Sequence, residues 1–436
     1  MMKMLQRILI AIVLVGSVSC ELCNAGGTCE LKVVPKDTVS VSTLGRIEGN
    51  KILIVHDVDL KGTVCKLPKG ITLVIKKGII RNGTLIGNNT QIECKNNAFD
   101  KVTIQGTWNV PEISTKLFKD LSYENALKDV VALSSPKVMN SIIFEEGEYK
   151  VKANRGSATC ISICGNTELT INGTIRLLPN DLESYNIIAV KGKNVRIGGK
   201  GAIIGDKHTH TGTEGEWGMG INLKGAVNTT ISGLTIKDCW GDCIYVGGNS
   251  KNVLIEKCKL DHGRRQGISI TKARSVTIRN CKITNVSGKN PQYAIDIEPN
   301  ANDTVDNVII EKVEVKNCEG GILATKGLKS EKTRIGNFEI RNCSLSAVNK
   351  YPIRLRRSQS ALVEKCIVNG SNARAAMYLD DVQKVVIKNN IINITKEILS
   401  TVKNSAKTLA GKKGYSPIYV RNVTYKDIKC NIINKK

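Results

Sequence analysis

Seven short phrases recur along the second half of the chain: TISGL, LIEKC, TIRNC, IIEKV, EIRNC, LVEKC and VIKNN. They bring Leu234, Cys258, Cys281, Val313, Cys343, Cys366 and Asn390 to one equivalent position, at intervals of 24, 23, 32, 30, 23 and 24 residues. Self-similarity at a fixed period marks a stacked architecture, in which each repeat buries its apolar face only against the next. Each repeat carries one strand-like phrase such as NVLIEKCKL (252–260), a turn rich in Asn, Gly or Lys, and a second phrase such as GISI (267–270). An interval of about 23 residues is too short for a helical pair, and no 3.6-residue period is present. The repeats are therefore coils of strand, and the longer intervals are loops thrown out between coils.

The fold this predicts is all-β: a single-stranded right-handed parallel β-helix over 141–436, with one short flanking α-helix. Composition agrees, because only 4% of residues are aromatic while Ile, Val and Leu abound, and β-branched chains pack well on stacked flat sheets. Residues 26–112 continue the pattern less regularly, as in GITLVIKKGIIRNGTLIGNNTQIEC (70–94), and are expected to form irregular β coils. The helix falls in a connection over 113–140. There SYENALKDVVALSS (122–135) offers Ser122 as N-cap and puts Ala126, Val130 and Leu133 on one face, suited to covering an open flank of the solenoid.

The first 25 residues read as an export signal. Lys3 and Arg7 precede an apolar run from Ile8 to Val18 that is short for a membrane span but right for a signal peptide. Cys20 after GSVS resembles a bacterial lipoprotein cleavage site and is the expected lipidation residue; CNA (23–25) is an alternative cleavage site. The chain is thus expected outside the cytoplasm, as an outer-membrane or periplasmic lipoprotein or else secreted, touching a membrane only through its lipid anchor. Fifteen cysteines in such a chain would ordinarily mean disulfides. Here Leu and Val replace Cys at the repeat position, so the thiols form a buried stack instead. No pair of CxxC motifs has zinc spacing, and no metal site is expected.

Laying the second phrases in register, with Ile221, Ile244, Ile268, Ile295, Ile322, Ile353 and Met377 inward, turns the next residues outward: Asn222, Tyr245, Ser269, Asp296, Leu323, Arg354 and Tyr378. The following outward row includes Glu298 and Arg356. Asp296 and Glu298 then share one exterior face with α-carbons roughly 6.6 Å apart, and Arg354 and Arg356 lie two coils away, roughly 10 Å. The same few coils hold GEWGMGI (215–221), DCWGDCIYV (238–246) and DHGRRQGISI (261–270). Trp217 and Trp240, two of three tryptophans, are placed to stack on sugar faces, with Tyr245, His262, Arg264, Arg265, Arg354 and Arg356 as further substrate-binding candidates.

The order WGDCIYV, RRQGISI, YAIDIEP resembles the active-site coils of the pectate lyase and polygalacturonase superfamily of right-handed parallel β-helix proteins, most nearly the polygalacturonase branch, whose coils read roughly N-T-D, G-D-D, G-H-G and R-I-K. The resemblance implies a role for Asp242, which matches the first acid of that family's pair, in general acid and base work. Cys243 stands at the second acid, Met219 at the upstream acid, Gln266 at the histidine, and Asp296 with Glu298 at the basic pair.

Three functions follow from the residues. Asp296, Glu298 and Asp242 could serve a glycoside hydrolase, one carboxyl protonated and one ionised. They could instead hold a calcium ion in a polysaccharide lyase, with Arg264, Arg265 or His262 as base; otherwise no cofactor is expected. A noncatalytic glycan-binding or adhesive solenoid is the third. The hydrolase requires a raised carboxyl pKa, which Arg264 and Arg265 would oppose. A formal charge of +25, or +23 once Lys3 and Arg7 leave, favours an acidic polysaccharide partner, and export argues against nucleic acid. The glycine-rich GGKGAIIG (198–205) opens no helix, which excludes a phosphate-binding loop.

Overall fold

The computed structural model describes residues 39–326, 332–404 and 414–435. The signal segment, with Lys3, Arg7 and Cys20, lies outside the described residues. The chain divides into two compact units, one ending at Val110 and including Lys116–Leu121, the other comprising Pro111–Thr115 and everything from Ser122.

In the first unit, Lys51–Ile54, Thr72–Ile75 and Ile80–Glu93 pair in parallel in turn, and Ile80–Glu93 also pairs with Phe99–Trp108. Trp108 fills the interior against Gly87, where an added Cβ would lie 2.5 Å from the indole. Its Nε1 donates to the Gln105 carbonyl at 2.7 Å, so the buried ring carries no unpaired donor.

The second unit is the right-handed parallel β-helix. One coil runs through strands Asp242–Gly247, Ser250–Glu256 and Lys259–Asp261, and Gln266–Ile270 begins the next. Corresponding strands join a 21-stranded and an 11-stranded sheet. The turn before each repeat position depends on one left-handed residue: Lys257, Asn280, Lys312, Asn342, Lys365 and Asn389 all have φ of 52–57°. Asn tolerates that region better than most residues, which accounts for its abundance at these turns.

The repeat position itself is buried in every coil, with Leu234, Cys258, Cys281, Val313, Cys343, Cys366 and Asn390 at most 2% exposed. It has a second task besides filling space. The Cys258, Cys281, Cys343 and Cys366 thiols reach the carbonyls of Ile231, Ile255, Ile310 and Ile340 in the preceding coil at 3.6–3.9 Å. Asn390 and Asn431 make the same bond through Nδ2, to Val363 and Ile387, at 3.0 and 2.9 Å. Among the described residues all cysteines are unpaired. Burial pushes the thiols of Cys160 and Cys318 up to about 12, so they stay protonated and unreactive.

The flanking helix is Ala126–Ala132, shorter than expected and not capped by Ser122. Asn125 occupies the cap in the left-handed region at φ 63°, and its side chain accepts from Lys152 N at 2.9 Å instead of capping. That tie to the neighbouring strand fixes where the helix begins. Ala126, Val130 and Leu133 are buried, so the expected face is the packed one. A further helix, Lys396–Asn404, lies between the last coils, where the repeat gives no sign of it.

Candidate functional site

The outward row pairs in register along the whole face: Asn222 with Tyr245, Tyr245 with Ser269, Ser269 with Asp296, Asp296 with Leu323, Leu323 with Arg354, and Arg354 with Tyr378. A second outward row lies three residues upstream, where Asp242 pairs with Gln266 and Gln266 with Tyr293. Strict alternation would place only one of these rows outside. One extra inward residue per strand reconciles them: Gly220, Cys243, Gly267 and Ala294. A Cβ on Gly220 would lie 2.8 Å from Ile236 Cγ2, and one on Gly267 2.6 Å from Ile283 Cγ2, while Cys243 and Ala294 are fully buried. This extra inward residue, repeated in register from coil to coil, lets both rows converge.

What converges is a cluster of acids around one arginine. Ser269 Oγ donates to Asp242 Oδ2 at 2.5 Å, and Arg265 Nη1 lies 3.4 and 3.2 Å from the two Asp242 oxygens. Arg265 Nε is 3.7 Å from Glu216. Burial works against the Arg265 charge, but Asp242, Asp296, Glu216 and Glu298 together hold it protonated. The Gln266 amide bridges to the next acid, with Nε2 donating to Asp296 Oδ2 at 2.7 Å and Oε1 accepting from Tyr293 N at 2.9 Å. Since a backbone N–H only donates, the second bond fixes which end of the amide faces Asp296.

Asp242 and Asp296 differ in how firmly they hold a proton. Burial lifts the Asp242 carboxyl to about 6, with Arg265 and Ser269 partly offsetting it. Burial, and then the charge of Glu298, lifts Asp296 well above the carboxylate range, more than Arg265 counters. As an ionised group Asp296 would leave Oδ1 buried and unpartnered. Protonated on Oδ1, it can donate to Glu298, which explains why a bond between two acceptors is otherwise absent. The opposition expected from nearby arginines is therefore real but loses to desolvation.

Beside the cluster opens a groove of about 730 Å³ whose lining includes Asn186, Lys191, Trp217, Asn222, Lys224, Tyr245, Arg265 and Asn300. Amides, hydroxyls and three cations face it, and among the described residues no acid does. Trp217 is 48% exposed there, and the Tyr245 hydroxyl is held by Thr271 at 2.7 Å.

Several expectations are corrected. The acids do not stand on an exposed patch: Asp242 is 0% and Asp296 1% accessible. Trp240 offers no free face, because His210 stacks on it at 3.9 Å and the Arg264 guanidinium lies 3.5 Å from its centroid, separations that fit only on opposite sides. Arg264 also donates to the Gly215 and Trp240 carbonyls at 3.0 and 3.3 Å, which makes it a clamp on that loop. His262 sits in a left-handed turn, bonded to Asp261 at 2.8 Å and edge-on to His208, away from the carboxyl pair's own contacts. Arg356 approaches Asp380 at 3.6 Å. Among the described residues no group of three or more His, Cys, Asp or Glu side chains is placed to hold a metal ion.

The sequence reading missed Ser269 as the partner of Asp242 and Glu216 as the carboxylate beside Arg265, although Ser269 stood beside Asp296 in the outward row. It also missed the knot behind Trp240, in which Asp206 accepts from Asn180 at 2.8 Å, binds His210 Nδ1 at 2.8 Å and takes the Tyr185 hydroxyl.

Comparison with known proteins adds the family and the fold. An uncharacterized protein of Bacillus subtilis (strain 168), YclG, is 29% identical over 210 residues, covering 42% of this chain and 36% of its own. The SPbeta prophage-derived uncharacterized protein YorA of the same strain is 30% identical over 162 residues, covering 32% and 28%. The chain thus spans about a third of the length of these curated relatives. In structure it is similar to the A-module of the mannuronan C-5 epimerase AlgE6 of Azotobacter vinelandii, with a TM-score of 0.54 at 13% identity over 72% of this chain and 93% of that one, a likeness of fold alone. The family described as "Right handed beta helix region" matches residues 141–305 and 289–434, most of the second unit, and the chain belongs to it.

Proposed function

We propose that this chain is a carbohydrate-active β-helix protein that hydrolyses glycosidic bonds of an acidic polysaccharide. The observation that carries the reading is the pair of buried carboxyls, Asp242 and Asp296, on one outward face with unlike proton affinities. Two acids pushed apart in this way are what acid and base roles require. Both carboxyls are closed to solvent in this structure, at 0% and 1% exposure, so the reaction requires them to become accessible from the groove that Arg265 lines. Asp296 then gives its proton to the glycosidic oxygen as the bond from C1 to that oxygen breaks. Asp242, ionised near neutral pH, takes a proton from the water whose oxygen bonds to C1. Asp242 and Asp296 lie two coils and three residues apart, roughly 14 Å between α-carbons, with Ser269 between, so the two act together only through side-chain reach. Glu298 contributes the charge that keeps the proton on Asp296, and Gln266 orients that carboxyl.

Lys191, Lys224 and Arg265 in an acid-free groove favour uronate or sulfate substituents, while Trp217 and Tyr245 supply ring faces. Fold alone carries no activity, so the mannuronan epimerase's substrate class only agrees with this reading. Export and lipidation at Cys20 belong to the same proposal, since polysaccharides lie outside the cytoplasm; the mass of the mature N-terminal peptide tests them. The activity is tested by incubating the purified chain with neutral and acidic polysaccharides and reading new reducing ends and ultraviolet-absorbing unsaturated ends. Reducing ends alone, on an acidic polymer, are expected; unsaturated ends would mean a lyase, and silence on the panel would favour a binder.

A further inference from the structure

Beyond Leu323 the outward row that carries Asp296 changes character. Arg354, Tyr378 and Tyr419 follow in consecutive coils, one strand spacing apart. Tyr378 and Tyr419 stack at 5.2 Å with planes 21° apart, and Tyr351 leans on Tyr378 at 5.1 Å. The Arg354 guanidinium lies 5.6 Å from the Tyr351 ring and 5.9 Å from the Tyr378 ring, held between them by cation–π contact. All three rings and Arg354 are half-buried, each keeping surface in reach of solvent.

The charge there is unbalanced. Asp380 is satisfied by Arg421, whose Nε and Nη2 bind its two oxygens at 3.0 and 2.7 Å. Arg354, by contrast, bonds the neutral Tyr293 hydroxyl and has no carboxylate partner among the described residues, and its Nε is buried without a hydrogen-bond partner. A rigid aromatic stripe with a surplus guanidinium fits a flat ring that bears a negative group. A neutral polymer would leave Arg354 without a counter-charge.

We infer that Arg354, Tyr378 and Tyr419 form a second carbohydrate-binding platform, separate from the acid cluster, that holds an anionic glycan segment on the C-terminal coils. Carboxylate and sulfate share the needed chemistry. The inference borrows from the proposed function only that the ligand is a glycan, and it does not require Asp242 or Asp296 to be catalytic.

The test is binding by isothermal titration calorimetry, in the Asp296→Asn background so that cleavage cannot enter, with polygalacturonate, dextran sulfate and dextran as probes. Arg354→Gln and Tyr419→Ala should each weaken binding of the charged polymers roughly ten-fold, with dextran binding at least ten-fold weaker in every background. Retention of the melting temperature in at least one of the two shows that the loss is local. Which charged polymer binds more tightly assigns carboxylate or sulfate. Unchanged affinity in a folded variant, or equal binding of dextran, would overturn the platform. Because no turnover is read, loss of the hydrolase proposal would leave this result standing.

Discussion

Gln266 donates to Asp296 Oδ2 at 2.7 Å, and this one bond decides which oxygen of the acid carries a proton. An N–H donor at Oδ2 favours the better acceptor, the carbonyl oxygen, at that position, which assigns the proton of the raised carboxyl to Oδ1. Replacing Gln266 by Leu removes the donor and leaves Tyr293 N without its acceptor. The expected outcome is a fall in kcat of about ten-fold with KM little changed, together with a loss of stability of about 1 to 3 kcal/mol. Steady-state kinetics and thermal melts check both.

Stability should fall as pH rises. The Asp242 pKa of about 6 exceeds the unfolded value of 3.8, so above pH 4 the unfolded chain gives up that proton more readily than the folded one. The cost grows through the window from about 4 to 6 and then levels at about 3 kcal/mol, an order-of-magnitude figure from the shift. Asp296 acts in the same direction. Asp242→Asn mimics the protonated form and should melt higher than the parent chain at pH 7.5, with the gap closing below pH 4. A variant less stable than the parent at pH 7.5 would mean that Asp242 is a structural ion-pair partner of Arg265.

The two tryptophans should behave oppositely. Trp217→Ala touches an exposed groove wall and is expected to raise KM several-fold with the melting temperature held. Trp240→Ala empties the slot between His210 and Arg264 and should cost about 3 to 5 kcal/mol. Chemical denaturation beside a binding titration separates the effects.

The repeat position was readable because Cys, Leu and Val exchange there at a fixed interval, and the inward isoleucines set the register that the strands adopt. The burial of Asp242 and Asp296 was not readable, since it depends on the Arg265 turn and on an extra inward residue in each strand that alternation does not anticipate. Trp240 shows the same limit: its partner His210 comes from the loop before Trp217–Lys224, and no local pattern marks a residue that stacks across coils. The helix start misled because Ser122 and Asn125 are equally good capping residues by local preference, and the Asn125 bond to Lys152 N that fixes the start is tertiary.

The cysteine ladder gives a chemical prediction. Unfolded in denaturant without reductant, the chain should expose the thiols of Cys258, Cys281, Cys343 and Cys366 to a thiol reagent, while in the native state Cys430, exposed among the described cysteines, should react before these four. Cys366→Ala, losing the contact to the Ile340 carbonyl and leaving a small void, should cost about 1 to 2 kcal/mol. Thiols absent from the denatured count would show that the stack is bridged.

The division of labour between Asp296 and Asp242 is tested most directly by comparing leaving groups. A proton donor matters for a sugar alkoxide leaving group and hardly at all for an acidic phenolate. On whichever acidic polymer is cleaved, Asp296→Asn should lose about 10²- to 10⁴-fold in kcat, yet stay within about ten-fold of the parent enzyme on the dinitrophenyl glycoside of the same sugar. Asp242→Asn should lose activity on both substrates. Equal losses for Asp296→Asn on the two substrates, or full activity on the polymer, would contradict the account.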